Sequence, residues 1–113
     1  MLANGGTGLN GAKIISPYTV DLMHLPHIPA GVIDNTFRYM NGYGYGYGVR
    51  TMADRIMAGT NAPIGEFGWG GAAGAYYLID PSNKLSLFYC EHMLGNQEDF
   101  IIPRIRNILY SCL

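Results

Sequence analysis

The sequence predicts an α+β fold, an antiparallel sheet of about three strands with a C-terminal helix packed on one face. Three observations carry this. Gly42 to Val49 alternates Gly and Tyr at the period of a strand. The runs Phe67–Ile79 and Leu85–His92 flank the turn residues Asp80 to Lys84, which reads as a hairpin. From Gln97 to Cys112, apolar residues recur at helical spacing.

The elements follow in order. Asn4 to Gly11 is turn material, rich in Gly and Asn and without periodicity. After the short apolar run Lys13-Ile14-Ile15, Ser16-Pro17 has the form of a helix N-cap with Pro at the first helical position. The helix it starts buries Val20, Met23 and Leu25 and is stopped by Pro26 and Pro29. Residues 30–41 are a connection without a legible pattern. The tract from Gly42 reads as a strand because it is short and continues into Val49-Arg50-Thr51-Met52; a sticky, disordered Gly-Tyr segment is the alternative. As a strand it puts Tyr43, Tyr45 and Tyr47 on one face, and its glycine face admits a helix at close range. Ala53 to Pro63 is a connection with room for one helical turn. In the last helix Phe100, Ile101, Ile105, Ile108, Leu109 and Cys112 form the apolar stripe, Asp99 caps an earlier turn, and Arg104 and Arg106 face solvent.

Composition narrows the function classes. The 113 residues suit one small domain or a piece of a larger one. Only 13% are charged, about half the usual share, so part of the surface is expected to be covered by something else. A net charge of −1 gives no electrostatic case for nucleic acid or an anionic membrane. No run reaches the roughly 18 apolar residues of a membrane span, and no signal-peptide pattern follows Met1, so the compartment stays open. Cys90 and Cys112 are too few and too distant for a disulfide framework or a zinc site and read as buried free thiols. His24 and His27 have a metal-like spacing, but Pro26 lies between them and no third ligand is near; they read as surface or packing histidines. His92 and Glu91 end a strand. No cofactor or metal is expected.

The stretch that packing alone does not explain is Glu66 to Gly74. Four glycines and three alanines fall in the ten positions from Gly68 to Tyr77, and glycine weakens a strand. Close approach of another backbone, a bulge or a ligand would each account for it; a Gly-Ala strand packed under a helix is the structural alternative. Together with Gly42 to Val49 and the hairpin through Ile79-Asp80-Pro81, this stretch resembles the serine β-lactamase-like hydrolases: class C β-lactamases, penicillin-binding DD-peptidases and related esterases. The loop from Asn4 to Gly11 and the helix after Ser16-Pro17 are also similar to that family. The resemblance implies part of the β-lactamase-like α/β domain, residues 1–113 being a single partial domain from its C-terminal portion. In the family, sequence like Met1 to Gly6 is interior, which implies a truncated start.

The family's third active-site motif, Lys-Thr-Gly, His-x-Gly or Trp-Gly-Gly on an edge-facing strand, corresponds here to Trp69-Gly70-Gly71, and the backbone N–H of Ala72 to one oxyanion donor. Trp69 in place of Lys or His points away from classical β-lactam turnover and towards an esterase-like or unassigned substrate. The nucleophilic Ser-x-x-Lys is missing: none of Ser16, Ser82, Ser86 and Ser111 has lysine three residues on. Tyr39-Met40-Asn41 spells Tyr-x-Asn, but in the family that element lies well upstream, so it reads as coincidence. The expectation is a hydrolase piece inactive alone, acting on an acyl substrate only in the complete enzyme, with the rest of the fold or a second copy as partner. The alternative is a non-catalytic module that self-associates or binds a partner through Gly/Tyr-rich strand edges.

Overall fold

Among the described residues, five short strands lie side by side in chain order, each antiparallel to the next. The computed structural model describes residues 1–29, 32 and 41–113. The strands are β1 (Tyr43–Tyr45), β2 (Arg50–Met52), β3 (Phe67–Gly70), β4 (Tyr76–Asp80) and β5 (Leu85–Tyr89). The α+β class expected from the sequence holds, with five strands in place of about three.

Both additions come from expected strands that fold back on themselves. Phe67–Ile79 is a hairpin, pairing Phe67 with Ile79 and Gly70 with Tyr76. Its reversal is closed by Gly71 N–H to Ala75 O (2.6 Å) and Gly74 N–H to Gly71 O (2.9 Å). Gly74 takes φ 89°, and a Cβ there would collide with Glu91, so glycine is required. The Gly-Tyr tract likewise turns after Tyr45, held by Gly46 N–H to Val49 O (2.8 Å), and returns as β2. Its glycines do admit a close neighbour: a Cβ on Gly44 would sit 2.6 Å from Pro26 Cβ, just after the first helix. β5 ends at Tyr89, short of His92.

Helix α1 spans Pro17–Met23, with the Ser16 hydroxyl accepting the Thr19 N–H at 3.0 Å as its cap. Its Val20 packs with Val49, Phe67 and Ile79 on one face of the sheet. Met23 is half-buried, while Leu25, expected inside, is exposed beyond the helix end. A single turn, α2 (Arg55–Ala58), is capped by the Asp54 carboxylate accepting from Ile56 and Met57 N–H. No helix among the described residues is long and apolar enough to cross a membrane.

Helix α3 (Glu98–Ser111) covers the other face. Ile102 packs with Tyr76 and Leu78, flanked by Leu109 and Tyr110. The buried stripe is thus rotated from the expected one: Phe100, Ile108 and Cys112 are exposed, and Arg106 points inward. α3 has apolar residues on several sides, so hydropathy did not single out a face, and the contact with Tyr76 decides it. The start of α3 is held by the Asn96 side chain accepting Glu98 N–H at 2.8 Å, and Gln97 stands at the N-cap where Asp99 was expected to cap. Pro103 is accommodated on its exposed side. Both cysteines are exposed, contrary to the expected buried thiols, because Cys90 follows the outer strand β5 and Cys112 ends α3 on its solvent side.

Candidate functional site

Where the β3–β4 turn approaches the first half of α3, a cleft of about 670 Å³ opens. Trp69, Gly70, Gly71 and Ala72 line one wall, Glu98, Asp99, Ile102 and Pro103 another, and Tyr43, Arg50, Tyr76 and Arg106 complete it. The four residues singled out from the sequence therefore lie together at a concavity, although β3 is the middle strand of the sheet and not an edge.

The glycines of this stretch divide by what they must avoid. A Cβ on Gly68 would run into the Tyr77 carbonyl, so that glycine serves the β3–β4 pairing. A Cβ on Gly70 would meet nothing nearer than Ala75 O at 3.6 Å, and one on Gly71 nothing nearer than Ala75 Cβ at 3.6 Å, both ordinary contact distances. Neither has a positive φ. The chain does not require glycine at these two positions, and both border the cleft. Beside them Ala72 is exposed, and no acceptor among the described residues takes its N–H. The Trp69 ring packs edge-on against Tyr45, with centroids 5.2 Å apart.

Along the inner wall runs a charged network that the sequence reading did not anticipate. Arg50 (3% exposed) donates from Nη1 to Glu66 Oε1 at 2.9 Å, and Glu66 (0% exposed) accepts on Oε2 from the Tyr43 hydroxyl at 3.1 Å. Arg50 Nη2 also donates to the Tyr76 hydroxyl oxygen. Arg106 (7% exposed) donates to that same oxygen from Nε (3.2 Å) and Nη2 (3.1 Å). The guanidinium carbons of Arg50 and Arg106 stand 4.9 and 5.1 Å from the Tyr43 ring centroid, within cation–π range. Truncating one partner of such a buried pair costs about 3–5 kcal/mol, because the other charge is left uncompensated.

Electrostatics follow from this packing. Burial works against the Arg50 charge, but the Glu66 carboxylate together with the Tyr76 and Tyr43 oxygens outweighs it and holds the guanidinium above its ordinary range. Burial pushes the Tyr43 and Tyr76 hydroxyls up, with the Glu66 carboxylate adding to the rise and the arginines opposing it. Both phenols stay neutral and able to donate.

Arg106 was expected on the solvent side; the signal for its inward position is its spacing of four from both Ile102 and Tyr110. Arg104 is exposed, as expected. Of Tyr39-Met40-Asn41, the first two lie outside the described residues, and Asn41 lines the cleft. His24 stacks on Phe67 at 4.8 Å and His27 on Tyr47 at 4.3 Å, with ring nitrogens 2.9 and 2.8 Å from the carbonyls of Val20 and Leu22. Among the described residues no three His, Cys, Asp or Glu side chains gather as a metal site would need.

No protein-family model matches the chain, and no curated protein does. Among solved structures it is similar to EstCE1, a hydrolase with promiscuous acyltransferase activity, with a TM-score of 0.74 and 25% identity. The match covers 96% of this chain and 26% of that one, so the chain spans about a quarter of that protein's length. The likeness supports a hydrolase fold.

Proposed function

We propose that residues 1–113 form a partial domain from the C-terminal portion of a β-lactamase-like serine hydrolase, a wall of an acyl-transfer site. The carrying observation is the cleft segment Gly70-Gly71-Ala72: two glycines without a packing requirement beside a backbone N–H that meets no acceptor among the described residues. Acyl transfer builds negative charge on the carbonyl oxygen, and aligned backbone donors stabilise it by about 2.7–4 kcal/mol each. Ala72 N–H is one such donor; the second belongs with the nucleophile, which this chain does not carry. Small residues leave room for the acyl group along Gly70-Gly71, and Trp69 bounds it. The likeness to EstCE1, a hydrolase with promiscuous acyltransferase activity, supports acyl chemistry on an ester, amide or β-lactam.

The chain alone is expected to be inactive. Incubated with a fluorophosphonate and analysed by peptide mass spectrometry, it should show no adduct on Ser16, Ser82, Ser86 or Ser111. An adduct at any of them would overturn the assignment of the nucleophile to another part of the fold.

A second reading draws on β5, an outer strand whose Phe88 is 70% exposed. Such an edge pairs readily with another strand, and the chain then works as a self-associating module. Light scattering across protein concentration separates the two, since this reading requires a dimer that dissociates on dilution.

A further inference from the structure

The charged network in the cleft does not balance. Both oxygens of Glu66 are occupied, by Arg50 and Tyr43, and the Arg50–Glu66 pair is the one ion pair among the described residues. Arg106 is left with a buried positive charge whose partners are one phenol oxygen and two ring faces. Donors are in surplus as well. Three N–H groups converge on the Tyr76 oxygen, while the Tyr76 proton and Arg106 Nη1 meet no acceptor among the described residues. Both residues line the cleft. A buried, uncancelled guanidinium next to a free phenolic donor is matched by a planar anion that accepts two hydrogen bonds. At the cleft's outer wall stand Glu98 and Asp99, which repel further negative charge and so select a monoanion over a phosphate or a dicarboxylate.

The geometry points to a carboxylate subsite: Arg106 and Tyr76 bind the carboxylate of a small monoacid at the inner end of the cleft, with its apolar remainder against Ile102 and Met57. The subsite does not depend on the acyl-transfer reading, because it is tested by binding to this chain alone.

The test compares butyrate with butyramide, which has the same shape without the charge. Each is titrated into the isotope-labelled full chain at matched ionic strength, followed by NMR of backbone amides and arginine side chains. Butyrate should shift Arg106 Nε–H and the Tyr76 and Gly70–Ala72 amides saturably, and butyramide should not. Arg106→Met should abolish the response, Arg106→Lys should weaken it, and Tyr76→Phe should weaken it about tenfold or more, the effect of losing a hydrogen bond to a charged group. Where the carboxylate comes from a second copy, the same signals shift with protein concentration before any acid is added, and butyrate then lowers the mass seen by light scattering. Equal responses to butyrate and butyramide, shifts confined to other residues, or an unchanged response in folded Arg106→Met would each overturn the subsite. The acid–amide comparison decides on the unaltered chain even if the Arg106→Met variant does not fold.

Discussion

Replacing Glu66 with glutamine changes one atom type and tests the whole network. Glu66 is fully buried, with Arg50 Nη1 at 2.9 Å on one oxygen and the Tyr43 hydroxyl at 3.1 Å on the other. Glutamine keeps the volume and one acceptor, so no cavity forms. The charge is what goes, leaving two buried guanidinium groups with no carboxylate among the residues that contact them. Breaking a buried pair in this way costs about 3–5 kcal/mol, where small domains have about 5–15 kcal/mol in total. Urea unfolding followed by circular dichroism should show a correspondingly lower midpoint with an unchanged slope. The double variant Glu66→Gln/Arg50→Met should recover part of the loss, since it removes the stranded charge together with its partner. A loss below about 1 kcal/mol for Glu66→Gln, the range of an exposed pair, would refute the claim that this network is buried and coupled.

Two further outcomes follow from the same cleft. Gly70→Ala and Gly71→Ala should leave the midpoint nearly unchanged, whereas Gly68→Ala, whose Cβ would run into the Tyr77 carbonyl, should destabilise the chain markedly; equal effects at all three would remove the distinction between folding and cleft-facing glycines. The folded-state phenols of Tyr43 and Tyr76 lie above their unfolded value, chiefly through burial, so their contribution to stability is fully present below the unfolded pKa. It is lost as pH rises from the unfolded pKa towards the folded one, and ultraviolet titration should show these two tyrosines ionising only as the chain unfolds. Early, reversible ionisation of all nine tyrosines would contradict their burial.

Much of the fold is legible because local chemistry and tertiary structure agree. Ser16-Pro17 starts a helix where capping chemistry says it should, and Asp80 to Lys84 turns a hairpin between two apolar runs. The misreadings share one cause. Glycine and alanine carry little conformational information, so Gly68 to Ala75 reads equally as a strand or as a strand reversing on itself. In α3 apolar residues lie on several faces, and the buried one is chosen by partners remote in sequence, above all Tyr76. The same holds for the network: Tyr43, Arg50, Glu66, Tyr76 and Arg106 each look ordinary alone, and only the sheet register and the helix rotation bring them together. Gly70 to Ala72, by contrast, stand out because small residues are an unusual choice at a strand end, and with Trp69 they line the cleft.

The strand order has a consequence for how the chain reaches this state. Each strand pairs with the one made just before it; three of the four connections are four or five residues long, and the longest, 53–66, carries the turn α2. Loop-closure entropy is small for the three short steps and grows only slowly with length for the fourth, which favours rapid assembly. Arg106, 30 residues beyond Tyr76, joins the network through the docked helix. The contact that brings Arg106 to Tyr76 spans the largest sequence separation in the network, so it carries the largest loop-closure cost.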